Sequence, residues 1–270
     1  MDKILSEESI SSNKIKMLRY YLNKTEKNQY KEDYIAVDEA VCIFINDEYY
    51  TTLIASPSKI NELVIGHLIC EGIIKSTNDI RNIDLKPPKA FVNLFQKIFI
   101  DSILRNRVGL ISTACGQSKS INTTEIEPID TSQKKTVKAE IIFNISNELN
   151  KRGKYFHQTG GTHSAMLSSF MGEVLFFAED VGRHNAIDKV IGLGAMNKYD
   201  MKNCILFCSG RLSSDIMFKV ARSGIPIIAS IAAPLESGIN IAETMGITLI
   251  SFVRGKRMNI YTHKERIILK

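Results

Sequence analysis

Apolar positions change their rhythm near the middle of the chain. Residues 35–45 and 49–55 are β-branched and apolar, separated by Asn46, Asp47 and Glu48. That pattern predicts a hairpin. After Pro57, the residues Ile60, Leu63, Val64, His67 and Leu68 recur at helical spacing, with Ser58 placed to cap the helix and Gly72 near its end. Two further strands are expected at 79–85 and 90–99, joined across Pro87 and Pro88. Residues 1–33 are polar and charged, and predict a frayed arm or a short helix at 15–22. Residues 112–134 are polar with little periodicity. A long structureless stretch inside a compact protein is functional or a linker.

The second half alternates. Helices are expected at 136–149, capped by Thr136, and at 184–196, 213–222 and 236–245. Strands are expected at 164–169 and 173–178, paired about Met171 and Gly172, and at 204–208, 226–230 and 248–253. Apolar strands alternating with helices predict a largely parallel sheet covered on both faces, with ligands at the carboxyl ends of its strands. The organisation is an N-terminal arm (1–33), a smaller β-rich domain (34–111), a mobile loop (112–134) and an α/β domain (135–270).

Composition narrows the class. Of 270 residues, 44% are hydrophobic and 24% charged, enough to bury a full core. The formal net charge of +6 is spread along the chain, so it suits an anionic ligand without indicating nucleic acid. No apolar run approaches the ~18–20 residues that cross a bilayer, and the N-terminus has no apolar signal segment. Five irregularly spaced cysteines argue against a disulfide framework and for reduced thiols in a cytoplasm.

Candidate chemistry lies in a few segments. Gln158–Ser164 (QTGGTHS) offers Gly160 and Gly161, whose backbone N–H groups can approach an anion, or else forms a tight turn. Glu179–Asn185 (EDVGRHN) is dense in ionisable groups before a helix; Asp180, Arg183 and His184 either meet a ligand or pin that helix. Cys208–Ser214 (CSGRLSS) follows a strand and opens a helix, as a phosphate cradle does, with Arg211 for charge and Ser213 as a donor. The plain alternative is a capped helix. Near the C-terminus, Phe252, Val253, Arg254, Gly255, Lys256 and Arg257 end the last core strand with three cations. Cys115 stands alone in the polar stretch, where Arg105, Arg107 or Lys119 could lower its thiol pKa. Cys42, Cys70 and Cys204 sit in apolar runs and read as core thiols. No CxxC or HExxH occurs, which argues against zinc, and no GxSxG argues for a hydrolase.

Taken in order, TGGTHSAML, EDVGRHNAIDKVIG, SGRLSSDIMFKVARSGIPIIAS and APLESGINIAETMGITLISFVRGKR resemble the signature blocks of the formate dehydrogenase accessory sulfurtransferase (FdhD) family. The match covers essentially all of 155–263. The resemblance implies a three-layer α/β/α C-terminal domain similar to the cytidine deaminase fold, and a homodimer. It implies that a cysteine desulfurase loads sulfur as a persulfide on the residue matching Cys115. That sulfur then passes to the bis-guanine-dinucleotide form of the molybdenum cofactor, bound as cargo, which goes on to the formate dehydrogenase catalytic subunit. The family's cofactor-contact segment matches residues 252–257. Such cargo is strongly anionic, which fits Arg211, Arg254, Lys256 and Arg257.

There is one departure. Many members carry CxxC at the loop, whereas this chain reads Cys115-Gly-Gln-Ser118. Relay between two loop thiols is thereby put in doubt, and a chaperone that binds cofactor without moving sulfur stands as the second reading. A deaminase, the third, lacks HxE and PCxxC.

Overall fold

The computed structural model describes residues 12–22, 27–96, 98, 109–111, 117–119, 126–131 and 135–269. Its centre is a six-stranded sheet in the order β11-β10-β12-β13-β14-β15. These strands are β10 (His163–Ser169), β11 (Val174–Asp180), β12 (Cys204–Cys208), β13 (Ile227–Ser230), β14 (Thr248–Arg254) and β15 (Arg257–Ile260). β12, β13 and β14 are parallel, and β10, β11 and β15 run antiparallel to their neighbours. The expectation of a largely parallel sheet is therefore corrected to a mixed one. The hairpin about Met171 and Gly172 reverses the chain before any crossover helix can make the first two strands parallel.

Side chains alternate across this sheet. Leu167, Leu206, Ile228 and Leu249 enter one core, and Met166, Phe207, Ala229 and Ile250 enter the other. A strand buried on both faces must be apolar throughout, which is why CILFC and IIAS carry no polar residue before their last position. Helix α2 (Ala139–Arg152) covers the second face with Ile142, Ile145 and Leu149. Helices α4 (Arg183–Met196), α5 (Ser214–Ser223) and α6 (Glu236–Thr244) cover the first. A short helix, α3 (Lys154–Thr159), precedes β10.

The N-terminal part is a four-stranded sheet, β4-β3-β6-β5, built from β3 (Glu39–Ile45), β4 (Glu48–Ala55), β5 (Ile80–Lys86) and β6 (Lys89–Leu94). Helix α1 (Ile60–Cys70) lies between that sheet and α4, so Leu63 to Cys70 are all buried and one core runs through both halves. The α1–α4 approach is set by two glycines. A Cβ on Gly66 would lie 1.8 Å from the Asp188 carbonyl oxygen, and one on Gly192 would lie 1.9 Å from that of Glu62.

Three local expectations change. Residues 12–19 form a strand, β1 (Ser12–Arg19), paired antiparallel with β2 (Gln29–Ala36), rather than a helix at 15–22. Ser58 does not cap α1; Lys59 does the turning, in the left-handed region at φ 55°. Thr136 does not cap α2, because Val137 and Lys138 form the short strand β9 against β16 (Ile267–Ile268) before the helix starts. At the start of the polar stretch, β7 (Gly109–Ile111) pairs with β8 (Gln117–Lys119). The connection between them holds Cys115 and lies outside the described residues.

Candidate functional site

Because β10 runs against β12, its start lies beside the end of β12: Ala165 faces Cys208, and His163 faces Asp180 of β11. The segments 158–164, 179–185, 208–214, 230–236 and 252–257 therefore meet along one edge, the carboxyl edge of the three parallel strands. The sequence singled out four of these five. The loop 231–235 was not singled out, although it is zipped to the 208–214 loop. The Leu212 N–H donates to the Ala233 carbonyl at 3.1 Å, and the Leu235 N–H donates to the Leu212 carbonyl at 2.8 Å. Gly238 fits only as glycine, since a Cβ there would lie 2.4 Å from the Leu212 oxygen. The N-termini of α5 and α6 thus emerge side by side, with their positive dipole ends at the same edge.

Around this edge the polar groups divide into two sorts. Some are fully engaged. Glu179 accepts from the backbone N–H groups of Tyr155 and Phe156, at 3.0 and 2.8 Å, and from the Thr162 hydroxyl at 3.0 Å. It holds the start of α3. Asp180 accepts from the N–H groups of Ser56 and Gly182 and from Asn185 Nδ2, and pairs with Lys189 Nζ at 2.6 Å with both side chains fully buried. Lys189 also donates to the Ser56 carbonyl, and the Val181 N–H donates to Ser56 Oγ. Asp180 therefore pins the β4–α1 connection to α4. Sequence reading missed Ser56 and Lys189; a lysine inside the apolar run of α4 was the available signal.

The glycine turn is also engaged. The Gly160 N–H donates to the Phe156 carbonyl at 2.8 Å, and the Gly161 N–H donates to Thr159 Oγ1 at 3.1 Å. The expectation that this pair offers its amides to an anion is corrected. The turn closes α3, with Gly160 left-handed at φ 66°.

Other groups of these segments are buried, and some have no partner among the described residues. Ser213, at the start of α5, is 7% exposed, and its Oγ accepts and donates no hydrogen bond. His184 Nε2 is buried and likewise unpartnered. Burial, with the Lys219 and Arg183 cations nearby, pushes the His184 pKa down to about 4. His163 lies below its ordinary value through burial and Arg183, and its Nδ1 is 3.1 Å from Ser209 Oγ. Burial raises the Asp215 carboxyl above its usual range. Arg211 is exposed, and the described residues supply it no ion pair. Gly210 makes room for Arg183, whose Cβ lies 2.9 Å from where a Gly210 Cβ would be.

At the far end, β14 breaks its register between Ser251 and Arg254, and Phe252 adopts φ 54°. A bulky residue held left-handed is strained, and such strain concentrates at binding sites. The break leaves Arg254, Gly255, Lys256 and Arg257 exposed. Arg254 Nε donates to the Ile231 carbonyl at 2.8 Å, with its guanidinium 6.0 Å from the Phe252 ring centroid. Val253 points away: its side chain is 1% exposed in the core under α2.

Among the described cysteines, Cys70, Cys204 and Cys208 are buried and Cys42 is half-buried, less enclosed than a core thiol. Burial pushes the Cys204 thiol up to about 12 and the Cys208 thiol up to about 11. Among the described residues no three His, Cys, Asp or Glu side chains gather to hold a metal, and no helix is long and apolar enough to cross a membrane.

Residues 36–268 match the model of the FdhD/NarQ family. The chain belongs to that family. It is 37% identical over 260 residues to the sulfur carrier protein FdhD of Saccharolobus solfataricus, covering 94% of this chain and 99% of that one. The FdhD protein of Listeria monocytogenes is 32% identical over 247 residues, covering 87% and 92%. A crystal structure described as a putative formate dehydrogenase accessory protein from Desulfotalea psychrophila superposes with a TM-score of 0.76. It shares 26% identity and covers 96% of this chain and all of that one. The family match spans all five segments of the carboxyl edge.

Proposed function

We propose that the chain carries sulfur as a persulfide on Cys115, between a cysteine desulfurase and the molybdenum bis-guanine-dinucleotide cofactor destined for formate dehydrogenase. The Cys115 thiolate attacks the terminal sulfur of the desulfurase persulfide. A new S–S bond forms, and the desulfurase thiolate leaves. The terminal sulfur would then pass to the reduced metal of the cargo, which supplies the two electrons that make it a sulfide ligand, as the S–S bond breaks and Cys115 leaves as the thiolate.

The observation that carries this reading is the edge itself: five segments, two helix N-termini and exposed Arg211, Arg254, Lys256 and Arg257 converge on one rim suited to pyrophosphates. Ser213 and the Phe252 turn are further contacts for the cargo, while Gly160 and Gly161 shape the rim instead of donating to it. The buried thiols support Cys115 by their own unsuitability, since a pKa near 11 or 12 leaves almost no thiolate at neutral pH.

The chain is anchored at the opposite edge, where the Ile129 N–H donates to the Met245 carbonyl at 2.9 Å. The second reading, a chaperone that binds cofactor without moving sulfur, is favoured by Ser118, which removes a second loop thiol.

Intact mass after incubation with an active desulfurase and cysteine separates the two. We expect a reducible gain of one sulfur, lost in Cys115→Ala and kept in Cys208→Ala. No gain in the wild type would leave the chaperone.

A further inference from the structure

The edge of the central sheet opposite the rim carries a cavity of about 270 Å³, close to the lower end of small-molecule sites at ~300 Å³. It lies where the C-terminal end of α5, the start of β13 and residues 126–131 meet. Its walls include Glu127, Asp130, Lys135, Lys202, Pro226 and Arg266. The 126–131 wall is held in place. Besides the bond from Ile129 to Met245, Gly246 gives it room at φ 68°, since a Cβ there would lie 2.4 Å from the Ile129 carbonyl oxygen.

Arg266 is the decisive residue. It lines the cavity and is only 4% exposed. Its Nη1 donates to Thr248 Oγ1 at 3.1 Å, and its Nη2 reaches the Asp130 carbonyl at 3.5 Å, the limit of a hydrogen bond. Among the described residues no carboxylate forms an ion pair with it. The chain's other buried cations are treated differently: Lys189 pairs with Asp180, and Lys219 with Asp188. A buried charge is costly unless it is paired and its donors are bonded. For Arg266 the fold supplies part of the second condition and not the first.

Two more cations share the walls. Lys135 Nζ donates to Asn203 Oδ1 at 2.7 Å. The Lys202 stem lies against Gly224, and its Nζ bonds nothing among the described residues. Three cations face two carboxylates, so the balance is positive. The carbonyl end of α5 would oppose an anion, but the Val220 and Ala221 carbonyls already accept from the Ile225 and Gly224 N–H groups. Among the described residues no aromatic ring lines the cavity to stack a base, and the Glu127 carboxylate is an acceptor for hydroxyl groups.

We propose that this cavity binds a small hydroxylated organic anion, a phosphate ester or a carboxylate, with its oxyanion on Arg266, Lys135 and Lys202 and its hydroxyl groups towards Glu127. The site is separate from the rim and does not rest on the sulfur chemistry proposed above.

The test is calorimetric titration of the full-length protein with glycerol 3-phosphate, citrate and inorganic phosphate. Wild type is compared with K135Q/K202Q, which leaves buried Arg266 in place, and with R211A/R254A on the rim. We expect at least one of the two organic anions to bind more tightly than inorganic phosphate. It should bind K135Q/K202Q at least ~five-fold more weakly and R211A/R254A within ~two-fold of wild type. A preference for glycerol 3-phosphate assigns a phosphate ester and a preference for citrate a carboxylate; either supports the site. Hydrogen exchange in the wild type should slow at residues 127, 129 and 130 when the anion is bound, a readout independent of how the variants fold. Three results would overturn the proposal. One is no binding of any probe up to ~10 mM. Another is inorganic phosphate binding as tightly as both organic anions. The third is loss of binding confined to R211A/R254A, which would place the anion on the rim.

Discussion

The joint between α1 and α4 and the carboxyl edge of the central sheet are fed by the same seven-residue segment, yet they are opposites. At the joint, polar groups are paired and atoms are in contact: Asp180 with Lys189, Asp188 with Lys219 at 2.8 Å and with His67 at 3.2 Å, and two glycines letting backbones touch. At the edge, Ser213 carries a buried hydroxyl without a partner among the described residues, and Arg211 stands exposed. The ion pairs of the joint are complete as they stand, whereas the edge keeps the Ser213 hydroxyl buried without a partner among the described residues.

The comparison is broken most severely at the glycines. Gly66→Ala forces a methyl group into a backbone carbonyl with nowhere to move, so a loss of at least ~3 kcal/mol is expected, towards the upper end for overpacking. Urea unfolding checks it, and a loss below ~1 kcal/mol would show that the helices can slide apart. Next is Lys189→Met, which strands the Asp180 carboxylate in the core. Breaking one side of a buried pair costs about 3–5 kcal/mol, so a drop in melting temperature of roughly 6–20 °C is expected for a chain of this size.

A smaller effect is read by pH. His184 has its folded pKa pushed down to about 4, below the unfolded value near 6.5. The unfolded chain therefore binds the extra proton first, and stability falls as pH drops from 6.5 towards 4, by up to about 2–3 kcal/mol. His184→Gln should flatten that slope. Asp188 acts in a lower window. Burial alone would raise its carboxyl, but the Lys219 ammonium and the His67 hydrogen bond outweigh it and hold it well below the usual range. Its contribution is complete above about pH 5 and drains as pH falls below ~4. The smallest stability effect belongs to Arg211→Ala: a change within ~0.5 kcal/mol, accompanied, if the proposed function holds, by weaker binding of the guanine-dinucleotide cofactor in equilibrium titration. A large stability loss there would mean that the edge, like the joint, is structural.

The alternation of strands and helices in the second half was legible because strands buried on both faces admit only apolar residues, and polar breaks mark their ends. Strand direction was less so: a hairpin and a crossover look alike until the connection length is weighed, and Met171-Gly172 is too short for a crossover. The β1–β2 ribbon was misread because Ile15, Leu18 and Leu22 fall at helical spacing among good helix formers, while its strand state depends on Tyr30 and Tyr34 a turn later. At the edge, the segments were visible from their density of glycine and charge. What each residue does was not. Whether an aspartate meets a ligand or a lysine depends on Lys189, nine residues away, and whether a glycine amide is available depends on Thr159 beside it. Gly66 and Gly192 left a fainter trace, since a glycine inside an apolar helix is unfavourable unless a neighbour comes close.

The helix α1 belongs to both sheets at once, and that has a consequence for heredity as much as for mechanics. In its primary structure the chain divides at its middle, as though two modules had been strung together. Yet neither half owns a complete interior: the first exposes Leu63 to Cys70 without α4, and the second exposes Ala186 to Ile191 without α1. A cut in the polar stretch would leave two fragments still sharing one core, and a gene shuffled at that point would leave each half with part of that core exposed. The chain can be severed covalently but not thermodynamically, so its halves must be inherited and exchanged together.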